Sequence, residues 1–180
     1  MRIIAGEWRG RTLVAPEGAD TRPTSDRARE TLFSMLASRL GGFSGLAVAD
    51  FFAGSGALGL EAMSRGAARV ALVERDRAAL RAIERNVATL SPREVEVVVV
   101  AGDALRVAPP FPCQLILADP PYRTLDWAAF AASLVTRGWV APGAVLAFEE
   151  ASGVAVPVTS FARLAQRKVG AATLHLFRVE

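Results

Sequence analysis

Lysine, cysteine, histidine and tyrosine occur once each among the 180 residues, as Lys168, Cys113, His175 and Tyr122. A single cysteine excludes an internal disulfide framework. No basic residue flanks Cys113 in the sequence to lower its pKa, so it is expected in the core. A single histidine with no partner at ligand spacing points to no metal site. Long uncharged runs are missing as well: the longest, Val107 to Ala118 and Ala151 to Ala162, are 12 residues, against roughly 20 for a spanning helix. The apolar start Met1-Arg2-Ile3-Ile4-Ala5-Gly6-Glu7 is broken too early for a signal peptide. The expectation is a soluble, cytoplasmic protein with no membrane partner.

What is present fits one domain. The chain is 52% hydrophobic and 22% charged, which excludes disorder, and a chain of this length buries roughly 70% of its unfolded surface without a disulfide or metal staple. Twenty of the 21 basic residues are Arg, a bias that a GC-rich genome produces by itself. Their placement carries more information. Residues 1–40 hold seven Arg against five acids, residues 41–150 ten against twelve, and residues 151–180 three Arg and Lys168 against Glu180. An acidic middle with basic ends permits a nucleic-acid partner reached by the termini.

The pattern along the chain predicts alternating strands and helices. The opening, Arg2 to Val14 around Glu7-Trp8-Arg9-Gly10, reads as a small hairpin. A helix capped by Thr24 or Ser25 carries Leu32, Phe33, Leu36 and Leu40 on one face. Strands follow at Leu46–Asp50, Val70–Glu74, Val95–Val100, Leu115–Asp119 and Val145–Phe148, with helices at Ala57–Arg65, Arg77–Leu90 and Trp127–Val135. This spacing implies right-handed βαβ units and a parallel sheet covered on both faces. Arg163–Val169 and Thr173–Val179 are predicted to add an antiparallel hairpin. The fold class is therefore α/β, doubly wound, in one domain: residues 1–20 a basic extension and 21–180 the core.

Ligands of such sheets bind beyond the carboxyl ends of the strands. There the first strand runs into Asp50-Phe51-Phe52-Ala53-Gly54-Ser55-Gly56-Ala57-Leu58-Gly59, and Glu74 lies 20 residues after Gly54, the spacing of a dinucleotide-binding fingerprint. A diphosphate is disfavoured by the Asp50 carboxylate beside the loop. S-adenosylmethionine (SAM) suits the same residues better. It offers a ribose for Glu74, an amino-acid moiety for Asp50 and the loop Phe52, Ala53, Gly54, Ser55 and Gly56, and no phosphate. The glycines allow close backbone approach. The alternative is a plain strand-to-helix turn with Asp50 as the cap. Asp103, followed by Ala104, sits at the end of the third strand, where it could accept the exocyclic amine of an adenine or equally cap a helix.

The most specific signal is Asp119-Pro120-Pro121-Tyr122, directly after an apolar strand. Two prolines fix the backbone and remove two donors, leaving carbonyl acceptors. Asp119 adds a carboxylate and Tyr122 a flat ring, together a receptor for a planar amine. Accepted hydrogen bonds favour a pyramidal nitrogen with its lone pair available, and orientation supplies most of the acceleration. A base within a helix has to swing out to reach such a loop.

The glycine loop, Glu74, Asp103 and the Asp119–Tyr122 loop, in this order, resemble the seven-stranded SAM-dependent methyltransferases of exocyclic amines. Arg2-Ile3-Ile4-Ala5-Gly6 with Trp8-Arg9-Gly10-Arg11, then Arg22-Pro23-Thr24 and Asp26-Arg27-Ala28-Arg29-Glu30-Thr31-Leu32-Phe33, resemble the RsmD-type 16S rRNA guanine-N2 methyltransferases over essentially the whole chain. The resemblance implies a Rossmann-like fold and methyl transfer from SAM to N2 of one guanine in 16S rRNA, with the assembled small subunit as partner. It assigns the amine to Asp119, Pro120, Pro121 and Tyr122. Arg22, Thr24 and Arg27 are candidates to close over the methionine end of SAM. The chain is expected to act as a monomer. Arg2, Arg9 and Arg11 around an exposed Trp8 would supply phosphate contacts and a stacking platform, or Trp8 packs on the domain. Two other readings stay open at this point: an adenine-N6 methyltransferase on DNA or RNA, and an NAD-binding Rossmann protein.

Overall fold

Five consecutive buried residues, Ala47–Phe51, form β1 at the centre of the sheet. A strand covered on both faces carries no polar alternation, and β1 has helices on either side. In the computed structural model, which describes residues 1–17, 26–92 and 94–180, the elements run α1 (Asp26–Leu40), β1, α2 (Ala57–Ser64), β2 (Arg69–Glu74), α3 (Arg77–Leu90) and β3 (Glu96–Ala101). They continue as β4 (Cys113–Ala118), α4 (Trp127–Thr136), β5 (Val140–Ala151), β6 (Ala162–Val169) and β7 (Ala172–Arg178). The strand order is β3-β2-β1-β4-β5-β7-β6. The first five neighbours are parallel, and β7 pairs antiparallel with both β5 and β6. The expected doubly wound sheet with an antiparallel edge is what the chain forms. Its winding reverses between β1 and β4, and a ligand crevice opens where it does so.

Two apolar layers sandwich the sheet. On one face Phe33, Leu36, Leu60, Met63 and Ile83 cover Val48, Val70, Leu72, Leu115 and Leu117. On the other, Phe130 and Trp139 meet Phe51, with ring centroids 5.2 and 4.7 Å away, and Trp127 stacks on Phe148 at 4.8 Å. Gly59 sets how closely α2 can lie on the sheet, because a Cβ there would come within 2.4 Å of Leu72. Cys113 is buried as expected, and its thiol is pushed up to about 12 by burial against the opposing effect of Arg69. His175, also buried, is lowered to about 4 by burial and by Arg163, which lies 3.0 Å from its Nδ1. No helix among the described residues is long and apolar enough to cross a membrane.

One expected strand boundary needs correction. The fifth strand begins at Val140, not Val145, and passes through Pro142-Gly143, which reads as a stop in the sequence. A register shift between Cys113 and Leu115 absorbs the extra residues there, and Pro142 is exposed and tolerated at this irregularity. The expected N-terminal hairpin forms around an antiparallel bridge, Arg2 to Thr12, with Ile3 N–H donating to the Arg11 carbonyl, Gly10 N–H to Ile3 and Leu13 N–H to Met1, each at 2.9 Å. Its remaining donors tie it to the domain: Ile4 and Ala5 donate to the two carboxylate oxygens of Glu61 at 2.7 and 3.0 Å, and Trp8 donates to Ser64 Oγ at 3.0 Å. Gly6 lies so close to α2 that a Cβ would fall 1.8 Å from the Ser64 carbonyl oxygen. Ile3, Trp8 and Leu13 therefore join the core, and Trp8, 8% exposed, is not a stacking platform. The expected caps Thr24 and Ser25, together with Arg22 and Pro23, lie outside the described residues.

Candidate active site

β1 ends at Phe51, and the next residue, Phe52, takes a left-handed backbone with φ 59°. That conformation costs a side-chain-bearing residue about 1 kcal/mol, and it turns the chain over the carboxyl end of the sheet. Gly54 and Gly56 follow at φ 58° and 80°. The loop is then braced from below. Ala53 N–H donates to the Val73 carbonyl at 3.1 Å and Gly54 N–H to Glu74 Oε2 at 2.9 Å. Glu74 Oε1 accepts from the Arg75 and Asp76 amides at 2.7 and 2.9 Å. The acid ending β2 thus holds the glycine loop, with a lone pair left on Oε2 for a further donor. Ser55 is tied in as well: its carbonyl accepts from Asn86 Nδ2 at 2.8 Å, while Asn86 also pairs with both backbone groups of Val14.

Asp50 does not line the cleft. It is buried behind the loop and accepts from the Gly59 N–H at 2.8 Å. Burial raises its pKa to about 8, the Gly59 bond opposes this, and the Asp119 and Glu74 carboxylates add to it. Asp103 accepts from the Leu105 N–H at 2.8 Å and closes a single turn in which Val107 N–H reaches the Asp103 carbonyl at 3.0 Å. It caps a turn and still faces the cleft.

That cleft holds about 820 Å³ and runs along the carboxyl ends of the strands. It brings together Phe52, Gly54, Glu74, Asp103, Ala104, Asp119, Pro120, Pro121 and Tyr122. Ala53, Ser55 and Gly56 belong to the same loop and shape it without lining the cleft. Beyond Tyr122 the Thr124 hydroxyl donates to the Pro121 carbonyl at 2.6 Å, and Arg123 takes φ 63°. The end of β5 supplies the bracing here. Tyr122 Oη donates to Glu149 Oε1 at 2.9 Å, while Glu150 accepts from Arg123 N–H at 3.1 Å and from Trp127 Nε1 at 3.2 Å. Arg2, Arg9 and Arg11 are exposed and do not line this cleft; Arg2 and Arg9 flank a shallow groove with Asp26 and Glu30.

Sequence reasoning missed Glu61, Ser64, Asn86, Glu149 and Glu150. Three of these left a signal: Glu61 interrupts an otherwise apolar helix, and Glu149-Glu150 ends an apolar strand. A buried charge in such a place needs partners.

The strand order, the glycine loop, the acid ending β2 and the Asp-Pro-Pro-Tyr rim together define a Rossmann-like methyltransferase. The family model described as Conserved hypothetical protein 95 matches residues 1–178. Ribosomal RNA small subunit methyltransferase D of Escherichia coli strain K12 is 41% identical over 149 residues, covering 83% of this chain and 74% of that one. The chain belongs to this family, the RsmD family of methyltransferases. A solved Escherichia coli structure, yhhF, superposes with a TM-score of 0.84 at 36% identity, covering 100% of this chain and 98% of that chain. The T. thermophilus 16S rRNA N2 methyltransferase RsmC, solved with AdoMet and guanosine, shares the fold at 22% identity and a TM-score of 0.65, over 91% of this chain and 46% of that one.

Proposed function

We propose that this chain transfers a methyl group from SAM to the exocyclic N2 amine of one guanine in 16S rRNA, with the small ribosomal subunit as its substrate. The observation that carries this reading is a single cleft bounded at one end by Gly54, Glu74 and Asp103 and at the other by Asp119-Pro120-Pro121-Tyr122. Relatives named as small-subunit rRNA methyltransferases support the substrate class.

The donor set fits the cofactor. Glu74 accepts a ribose hydroxyl while it braces Gly54, and Asp103 accepts the adenine amine beside Ala104. The glycine loop, Phe52 to Gly56, presents backbone to the amino-acid moiety, and Asp50 ionises behind it. Thr24 belongs to this group by resemblance. When bound, SAM supplies an electrophilic methyl on a sulfonium.

At the other end, Asp119 and the Pro120 carbonyl accept the N–H bonds of the amine. This orients the nitrogen lone pair, and Tyr122 stacks on the base. Asp119 takes the proton that the amine sheds. The N-terminal extension, residues 1–20 on the core of residues 21–180, contacts RNA phosphates through Arg2, Arg9 and Arg11. The protein works as a cytoplasmic monomer, and no step needs a metal.

Labelled SAM offered to small-subunit particles that lack the modification, followed by nucleoside mass spectrometry, tests this reading. N2-methylguanosine is expected; N6-methyladenosine without it overturns the proposal. Titration calorimetry separates the cofactors, with SAM expected to bind and NAD not.

A further inference from the structure

β4 and β5 are parallel neighbours, with Ala118 opposite Phe148. The next residue on each strand is a carboxylate: Asp119 on one and Glu149 on the other. Adjacent strands run about 4.8 Å apart, so these two acids emerge side by side, and both line the cleft. Glu149 is 5% exposed, and its Oε1 is held by the Tyr122 hydroxyl at 2.9 Å. Glu150, one residue on, points to the opposite face of the sheet and is engaged by Arg123, Ala151 and Trp127. The two consecutive acids therefore have different surroundings. Glu150 braces the loop from behind, and Glu149 faces the space where Tyr122 would hold a base.

Guanine presents two kinds of donor next to each other on its pairing edge, N1–H and the N2 amine. Adenine presents an acceptor, N1, beside its amine. Two neighbouring carboxylates match the first arrangement and are repelled by the second, because an acceptor facing an acceptor leaves both buried groups unpaired. We infer that Glu149 accepts the N1–H of the target guanine while Asp119 accepts from its N2 amine, so that Glu149 selects guanine over bases with an unprotonated N1. This rests on the reading of the site as a guanine-N2 methyltransferase. It names the group that makes an amine-binding rim specific for guanine.

The test compares guanosine with 2-aminopurine riboside, which keeps the 2-amine but carries an unprotonated N1, as inhibitors of methyl transfer to small subunits. Guanosine is expected to inhibit about 10-fold or more better with the wild-type protein, the worth of one hydrogen bond to a charged group. In Glu149→Gln, whose amide can donate to an unprotonated N1, that preference should vanish or reverse. Tyr122→Phe removes the hydroxyl on Glu149 and should keep the preference for guanosine. Glu149→Asp draws the carboxylate back by one methylene and should weaken it.

Guanosine no better than 2-aminopurine riboside with the wild-type protein overturns the inference. So does a preference that survives in both Glu149 variants, or one lost equally in Tyr122→Phe, which would reduce Glu149 to orienting the ring. These outcomes are separate from failure of the proposed function, which shows in the methylated nucleoside itself: N6-methyladenosine sinks the function, whereas N2-methylguanosine without the preference sinks only the role of Glu149.

Discussion

The two ends of the cleft are braced in different ways. At the cofactor end each acid is satisfied by backbone close to it: Glu74 by Arg75, Asp76 and the loop that follows the neighbouring strand, Asp103 by Leu105. At the amine end the loop after β4 is held by side chains from β5, 27 residues away for both Tyr122–Glu149 and Arg123–Glu150. The glycine loop is held from β2 through its own amides, so it presents backbone to its ligand and needs glycine where the chain turns left-handed. The loop after β4 is held from β5 partly through the Tyr122 side chain, so it presents side chains and carbonyls, and its geometry depends on the packing of that strand. The difference suits the proposed tasks: one end holds a cofactor, and the other aligns a reacting nitrogen.

If the two ends are separable in this way, substitutions should separate them. The largest effect is expected from Asp119→Ala, which removes the acceptor of the amine and should lower methyl transfer by about 10³-fold or more, measured with labelled SAM on small subunits. Glu74→Ala removes both the ribose acceptor and the brace on Gly54. It should weaken SAM binding by about 30-fold in calorimetry, the worth of one or two hydrogen bonds to a charged group.

A smaller effect is expected with pH. Burial holds Asp50 at about 8, against an ordinary 3.8. The folded chain keeps a proton that the unfolded chain releases, so stability falls as pH rises from near 4 to near 8. Asp50→Asn can still accept from Gly59 N–H and should flatten that decline, read from denaturant midpoints of the cofactor-free protein across this range. Retention of the full decline in the variant would remove Asp50 as its source. The smallest effect is expected outside the cleft. Arg9→Ala with Arg11→Ala should weaken subunit binding a few-fold and make the log–log salt dependence shallower by about 1 to 2. An unchanged slope would show that the N-terminal arm does not touch phosphate.

The same contrast governs what could be read from the sequence. The cofactor end was legible because its signals are local: glycines at fixed spacing, an acid 20 residues on, apolar runs that alternate strand and helix. The rim Asp119–Tyr122 was legible because two prolines and an aromatic after a strand leave few alternatives. Its bracing by Glu149 and Glu150 was not, since a pairing across 27 residues depends on strand order and register. The N-terminal arm shows this most clearly. Its alternation of Ile3, Ile4 and Leu13 around two glycines suits the hairpin that forms, but its docking was not legible: Glu61, Ser64 and Asn86, 56 to 72 residues away, take its remaining backbone groups and turn Trp8 inward. Tertiary hydrogen bonds hold in place a two-stranded segment that is weak in isolation.

The separation of the two ends is tested most directly by the SAM affinity of Asp119→Ala, measured by titration calorimetry on the same preparation that has lost transfer. An affinity within about twofold of wild type is expected, because no cofactor contact is assigned to Asp119. A loss of about tenfold or more would contradict the division, and would mean that the amine rim and the cofactor loop form one binding site.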